Sequence, residues 1–202
     1  MRGLIVGVLV GCGGPNQTDK GGDPGACDAL MNELPGASDL DGLQESLTAV
    51  QRELFPELDG VSLALQPVTS TTSFFAANLD LSTLDAAPLE RSYVVQYAES
   101  VFELGAPQDG VVAILAHELA HVVDYTELDS EALVEFALWY AQGDVAVYER
   151  QTDETALSLG CATGLIAYRE WLYSVVDDNT RAEKERLYYT PDEIRAWVIA
   201  HR

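Results

Sequence analysis

Histidine, cysteine and positive charge are all scarce in this chain of 202 residues, and each shortage narrows the reading. There are 3 His, 3 Cys and 11 Lys plus Arg against 33 Asp plus Glu, for a formal net charge of −22. A surface this acidic repels phosphate backbones and anionic headgroups, which argues against nucleic acid as a partner. It names no substrate. No apolar run reaches the ~20 residues of a membrane-spanning helix. Hydrophobic residues nevertheless make up 48% of the chain, so the whole cannot be disordered. The length suits one domain with a tail, and no internal repeat is visible.

Two of the three histidines lie in one stretch, Val111 to Tyr125, VVAILAHELAHVVDY. It contains His117-Glu118-Leu119-Ala120-His121, the pattern H-E-x-x-H. No Pro or Gly interrupts the stretch, and Pro107 followed by Asp109 as N-cap predicts a helix start. Residues four apart on a helix lie about 40° apart around the axis, so His117 and His121 share a face. Two neutral imidazoles one turn apart can bind one Zn²⁺, with Glu118 beside the metal as general base toward an activated water. As ordinary core polar groups, three ionisable side chains on so apolar a helix would be costly to bury.

A catalytic zinc site needs a third protein ligand and an open position. The segment 145–159, VAVYERQTDETALSL, offers Glu149 and Asp153 on one helical face. Glu149 is placed to coordinate, and Asp153 to accept a hydrogen bond from a ligand imidazole. Glu154, about 140° from Glu149 by helix geometry, is the competing ligand. A solvated acidic face is the plain alternative to both.

The combination of H-E-x-x-H with E-x-x-x-D 28 residues later resembles the zinc metallopeptidases called gluzincins. The resemblance covers roughly residues 90–175. It implies His117, His121 and Glu149 as zinc ligands, Glu118 as general base and Asp153 behind a ligand. The segment also resembles a group of small bacterial HExxH proteins, through Gly160, Gly164, Leu165, Tyr168 and Arg169. A peptidase further needs an electrophile for the oxyanion. Tyr148, Arg150, Arg169, Tyr188 and Tyr189 are candidates, whereas His201, penultimate in the chain, is a poor one.

At the other end, Arg2 precedes a short apolar run from Gly3 to Val10, and Leu9-Val10-Gly11-Cys12 resembles a bacterial lipobox. The resemblance implies a signal peptide over 1–11, lipidation of Cys12 and an outer-membrane or envelope location. A buried N-terminal strand or helix is the alternative. Residues 12–27 are Gly- and Pro-rich and read as a flexible tether. Residues 28–202 then form the folded domain. Cys27 and Cys161 remain as either an exported protein's disulfide or two buried thiols.

Elsewhere the periodicity predicts helices over 28–34 and from a Ser38 or Asp39 cap to Leu54, ended by Pro56. Strands are expected at Val61–Leu65 and Ser92–Tyr97, and Phe74-Phe75 opens a strand or a loop. The strand before the metal helix is expected to offer an open edge to a peptide. Further helices are expected from a Ser130 cap to Ala141, from an Asp144 cap over Val145–Leu159, over Thr163–Val176, and after Thr190-Pro191. Asp177-Asp178-Asn179 is expected to break the helix over Thr163–Val176.

The whole predicts an α+β, zincin-like fold: a small antiparallel sheet, an active-site helix and a helical C-terminal half. The expected activity is zinc-dependent peptide hydrolysis by a membrane-tethered protein. The rivals are a zinc-holding envelope lipoprotein without catalysis, and a structural lipoprotein in which the motif is coincidental.

Overall fold

The computed structural model describes residues 25–34 and 38–201. The proposed signal peptide, Cys12 and most of the tether lie outside them. Among the described residues no helix is long and apolar enough to cross a membrane.

The architecture is α+β. Helix α1 spans Ala26–Glu33 and α2 Leu40–Leu54. Three strands follow, β1 Ser62–Val68, β2 Phe75–Leu79 and β3 Ser92–Ala98, then the four-residue α3 Ser100–Glu103. The rest is helical: α4 Gln108–Thr126, α5 Ser130–Gln142, α6 Ala146–Ser158, α7 Ala162–Val175, α8 Asp178–Leu187 and α9 Pro191–Ala200.

Helix α4 is the axis of the molecule. All residues from Gly110 to Val122 are buried, including the three polar ones. It packs against α1, α2, α6, α7 and β2. Its approach to α7 is close enough to require glycine. A Cβ on Gly164 would lie 2.3 Å from the Asp109 carbonyl, and one on Gly110 would lie 3.0 Å from the Tyr168 Cα. Helix α4 begins at Gln108 with Pro107 as N-cap. Asp109 therefore lies inside the first turn rather than at the cap, where its charge still complements the helix dipole.

The sheet is mixed rather than antiparallel. Its order is β1-β3-β2, with β3 parallel to β1 and antiparallel to β2. The burial pattern explains the order. Tyr93, Val95 and Tyr97 of β3 are buried, so this strand takes the centre. β1 carries Pro67 and no buried residue, which suits an edge. The strand before α4 therefore offers no open edge; the edge next to α4 belongs to β2.

The start of α5 differs from expectation because a neighbouring side chain caps better. Asp129, not Ser130, caps α5 by accepting from the Ala132 N–H at 2.9 Å. Ser130 Oγ instead donates to the Leu84 carbonyl. Asp144 Oδ1 accepts from the Ala146 N–H at 3.2 Å, yet Val145 holds the N-cap position of α6. Helix α7 ends at the expected break, and Asp177 then caps α8, a helix the pattern did not predict, by accepting from the Asn179 and Thr180 N–H groups. Thr190 and Glu193 form the reciprocal capping box of α9.

Cys27 and Cys161 are joined by a disulfide with Cα atoms 5.1 Å apart, across a sequence separation of 134. Cys27 thus belongs to α1 and not to a tether. The bond staples α1 to the turn between α6 and α7.

Candidate metal centre

Helix α4 and helix α6 cross so that His117, His121 and Glu149 face one point. Their nearest ligand atoms all lie within 4.8 Å of one another, and all three residues are buried. His117 Nε2 is 3.3 Å from Glu149 Oε2, and His121 Nε2 is 3.4 Å from the same oxygen. That oxygen has no hydrogen-bond partner, although it is fully enclosed. An enclosed carboxylate oxygen flanked by two imidazole nitrogens can hold a metal ion, and a bound cation would satisfy all three atoms at once.

The other nitrogen of each imidazole is engaged behind the site. His117 Nδ1 lies 2.9 Å from Asp153 Oδ1. His121 Nδ1 lies 2.9 Å from the Tyr148 hydroxyl, which also contacts the Asp124 carboxylate. Each ring is thereby set with Nε2 toward the common point. Asp153 is itself clamped. Arg169 Nη2 donates to Oδ1 at 3.0 Å, and the Tyr189 N–H donates to Oδ2 at 2.9 Å.

The electrostatics follow from this convergence. Burial works against the charged form of His117, yet the close carboxylates of Asp153 and Glu149 push it up to about 10. Burial likewise raises the Glu149 carboxyl, but the contacts with His117 and His121 prevail and hold it well below the usual carboxylate range. Asp153, which burial would raise, is lowered by the Arg169 guanidinium and His117. The carboxylates that draw a proton onto His117 would equally draw a cation.

Glu118 sits beside the three, 5% exposed. Its Oε2 accepts from the Ala77 N–H of β2 at 2.7 Å. Glu154 points elsewhere: its Oε1 accepts from the Tyr189 hydroxyl at 2.7 Å, away from both imidazoles. Of the electrophile candidates, Tyr188 alone lines the cavity at the histidines. Tyr148 and Arg169 stand behind the site. Arg150 pairs with Glu193 at 2.9 Å, and Tyr189 holds Glu154.

The cavity measures about 420 Å³ and runs between β2 and α5 over the three residues. Its apolar wall includes Leu79, Leu84, Leu133 and Phe136. The β2–β3 register, with Ala98 N–H to Phe74 O and Asp80 N–H to Ser92 O at either end, turns the even-numbered backbone groups toward β3. Those of Phe75, Ala77 and Leu79 therefore face outward along the cavity.

Two contributors escaped the sequence reading. Tyr140 of α5 donates its hydroxyl to Glu149 Oε1. Asp124 supports His121 through Tyr148. Asp124 lies three residues after His121 on the same helical side, which was the available signal; nothing local marks Tyr140.

No protein-family model, curated protein or solved structure matches the chain.

Proposed function

We propose that the protein is a zinc-dependent peptide hydrolase with a zincin-like site. The observation that carries this reading is the enclosed, unpartnered Oε2 of Glu149 between two imidazole nitrogens. Ligands about 2.0–2.1 Å from a tetrahedral Zn²⁺ stand roughly 3.3–3.4 Å apart, and the separations of 3.3 and 3.4 Å fit that set. His117, His121 and Glu149 would hold the ion. Bound zinc would supply Lewis acidity, polarising a carbonyl and making water acidic near neutral pH.

The chain's own residues supply the rest. Glu118, against the ligands but not among them, takes the proton of the attacking water and delivers it to the leaving nitrogen. The Ala77 N–H fixes that carboxylate in place. The outward backbone groups of β2 other than the Ala77 N–H and the Phe75 carbonyl pair with an extended substrate. Tyr188 faces the cavity where an oxyanion donor is needed. The lipobox-like Leu9–Cys12 supports an envelope tether on sequence grounds alone.

A zinc-holding lipoprotein without catalysis is the second reading. It is favoured by the Ala77 contact, which also gives Glu118 a purely structural use. One experiment separates the two: elemental analysis and peptide turnover of the wild type and Glu118→Gln. The proposal expects about one zinc in both proteins, with turnover falling roughly 10²–10⁴-fold in the variant. Zinc without turnover in the wild type would support the second reading. No zinc in either would remove both.

A further inference from the structure

Beside the metal-holding group a small recess adjoins the main cavity. Lys184 and Arg169 line the recess alone, while Ser73, His117, Glu118 and Tyr188 line both spaces. Its cations are unusual for this chain. Only two of the 11 basic residues are lysines, Lys20 and Lys184, in a protein with 33 acidic residues. Every arginine from Arg52 to Arg195 is used: six pair with carboxylates, and Arg91 donates to Ala86, Leu128 and Ser130. Lys184 is the exception. Among the described residues its ammonium makes neither an ion pair nor a hydrogen bond, and it lies 5.5 Å from the Tyr188 ring centroid.

Lys184 is a half-buried lysine without a carboxylate partner in a chain rich in carboxylates, so its charge is open to an incoming anion. A second cation stands against the same ring. The Arg169 guanidinium lies 4.4 Å from the Tyr188 centroid and satisfies Asp153 with one nitrogen, while its buried Nε has no partner. Burial and the Arg169 charge pull the Lys184 ammonium below its ordinary value, although Glu183, Glu149 and Glu118 act the other way. An anion in the recess would relieve both cations.

We infer that the Lys184–Arg169 recess is a carboxylate-binding subsite that takes the C-terminal carboxylate of a peptide substrate lying along β2. The inference rests on the peptidase reading and extends it to substrate class. Direction supports it. A peptide pairing antiparallel to β2 runs from the Leu79 end toward Phe75 and Ser73, so its C-terminus arrives at the recess. The opposite orientation would bring an α-amino group to two cations. A terminal carboxylate a residue or two past the metal makes the enzyme a trimmer of peptide C-termini rather than a cutter of long chains.

The test uses the full chain carrying Glu118→Gln, loaded with zinc, and a random N-acetylated tetrapeptide library made half with free and half with amidated C-termini. Retained members are read by mass spectrometry, and zinc is measured on the same samples. Free carboxylates should be enriched roughly 10- to 100-fold, the range of a charge-assisted hydrogen bond. The enrichment should vanish when Lys184→Met is added and partly return with Lys184→Arg. Enrichment of Asp- or Glu-containing amidated members instead would overturn the terminal assignment in favour of a side-chain carboxylate. Equal retention of free and amidated peptides, or a preference that survives Lys184→Met, would overturn the subsite while the peptidase reading stands. Zinc held with no peptide retained would overturn both.

Discussion

Tyr140 donates its hydroxyl to Oε1 of Glu149, which leaves Oε2 of that carboxylate alone between the two imidazoles. One oxygen is thus fixed by α5, and the other faces the point where a metal ion could be held. The site is therefore completed by a helix of which Leu133 is the one buried residue.

Zinc affinity should follow this division of labour. Tyr140→Phe should weaken binding roughly 10- to 100-fold, the usual cost of losing a hydrogen bond behind a ligand. Glu149→Ala should lose far more, leaving two histidines. Glu154→Ala should change little, since that carboxylate faces Tyr189. Competitive titration against a chelator ranks the three, and metal loss in Glu154→Ala alone would reverse the assignment.

Asp153 matters to folding as well as to the site. Arg169 is 2% exposed and its guanidinium pairs with Asp153. Removing the carboxylate strands a buried cation, so Asp153→Ala should cost about 3–5 kcal/mol. Adding Arg169→Met should return much of that stability without restoring zinc affinity. Urea melts of the single and double variants measure it; equal destabilisation of both would show that the pair is not the cause.

The crossing of α4 and α7 should tolerate no side chain at its closest point. A Cβ at Gly164 meets the Asp109 carbonyl at 2.3 Å and the Ala113 Cβ at 2.6 Å. Backbone must move to admit it, so Gly164→Ala should destabilise by about 1–3 kcal/mol. Because α4 carries both histidines, zinc affinity should fall in parallel. A variant with unchanged melting and unchanged metal binding would contradict the close packing.

The disulfide should contribute stability through the unfolded chain. Closing a loop across a separation of 134 residues is worth about 4–5 kcal/mol in the entropy model, and measured losses run about 2–5 kcal/mol. Cys27→Ser with Cys161→Ser should show a loss in that range in denaturant melts. Zinc stoichiometry should stay unchanged, because neither cysteine touches the site.

The division between local pattern and tertiary structure follows the range of the forces. His117 and His121, and Glu149 and Asp153, were legible because helical geometry alone puts residues four apart on one face. The helix start at Thr190 was legible because a cap followed by Pro at the first helical position is a local signal. What the pattern could not carry is which elements meet. β3 looked like an edge and is the centre of the sheet, since strand order depends on which buried faces find each other. The end of α7 before Asp177 was legible, whereas α8, which the Asp177 side chain caps, was not. Tyr140 reaches Glu149, Arg169 reaches Asp153, and Lys184 stands without a counter-ion only in the assembled fold. These relations join residues brought together by packing rather than by period, so tertiary structure alone decides them.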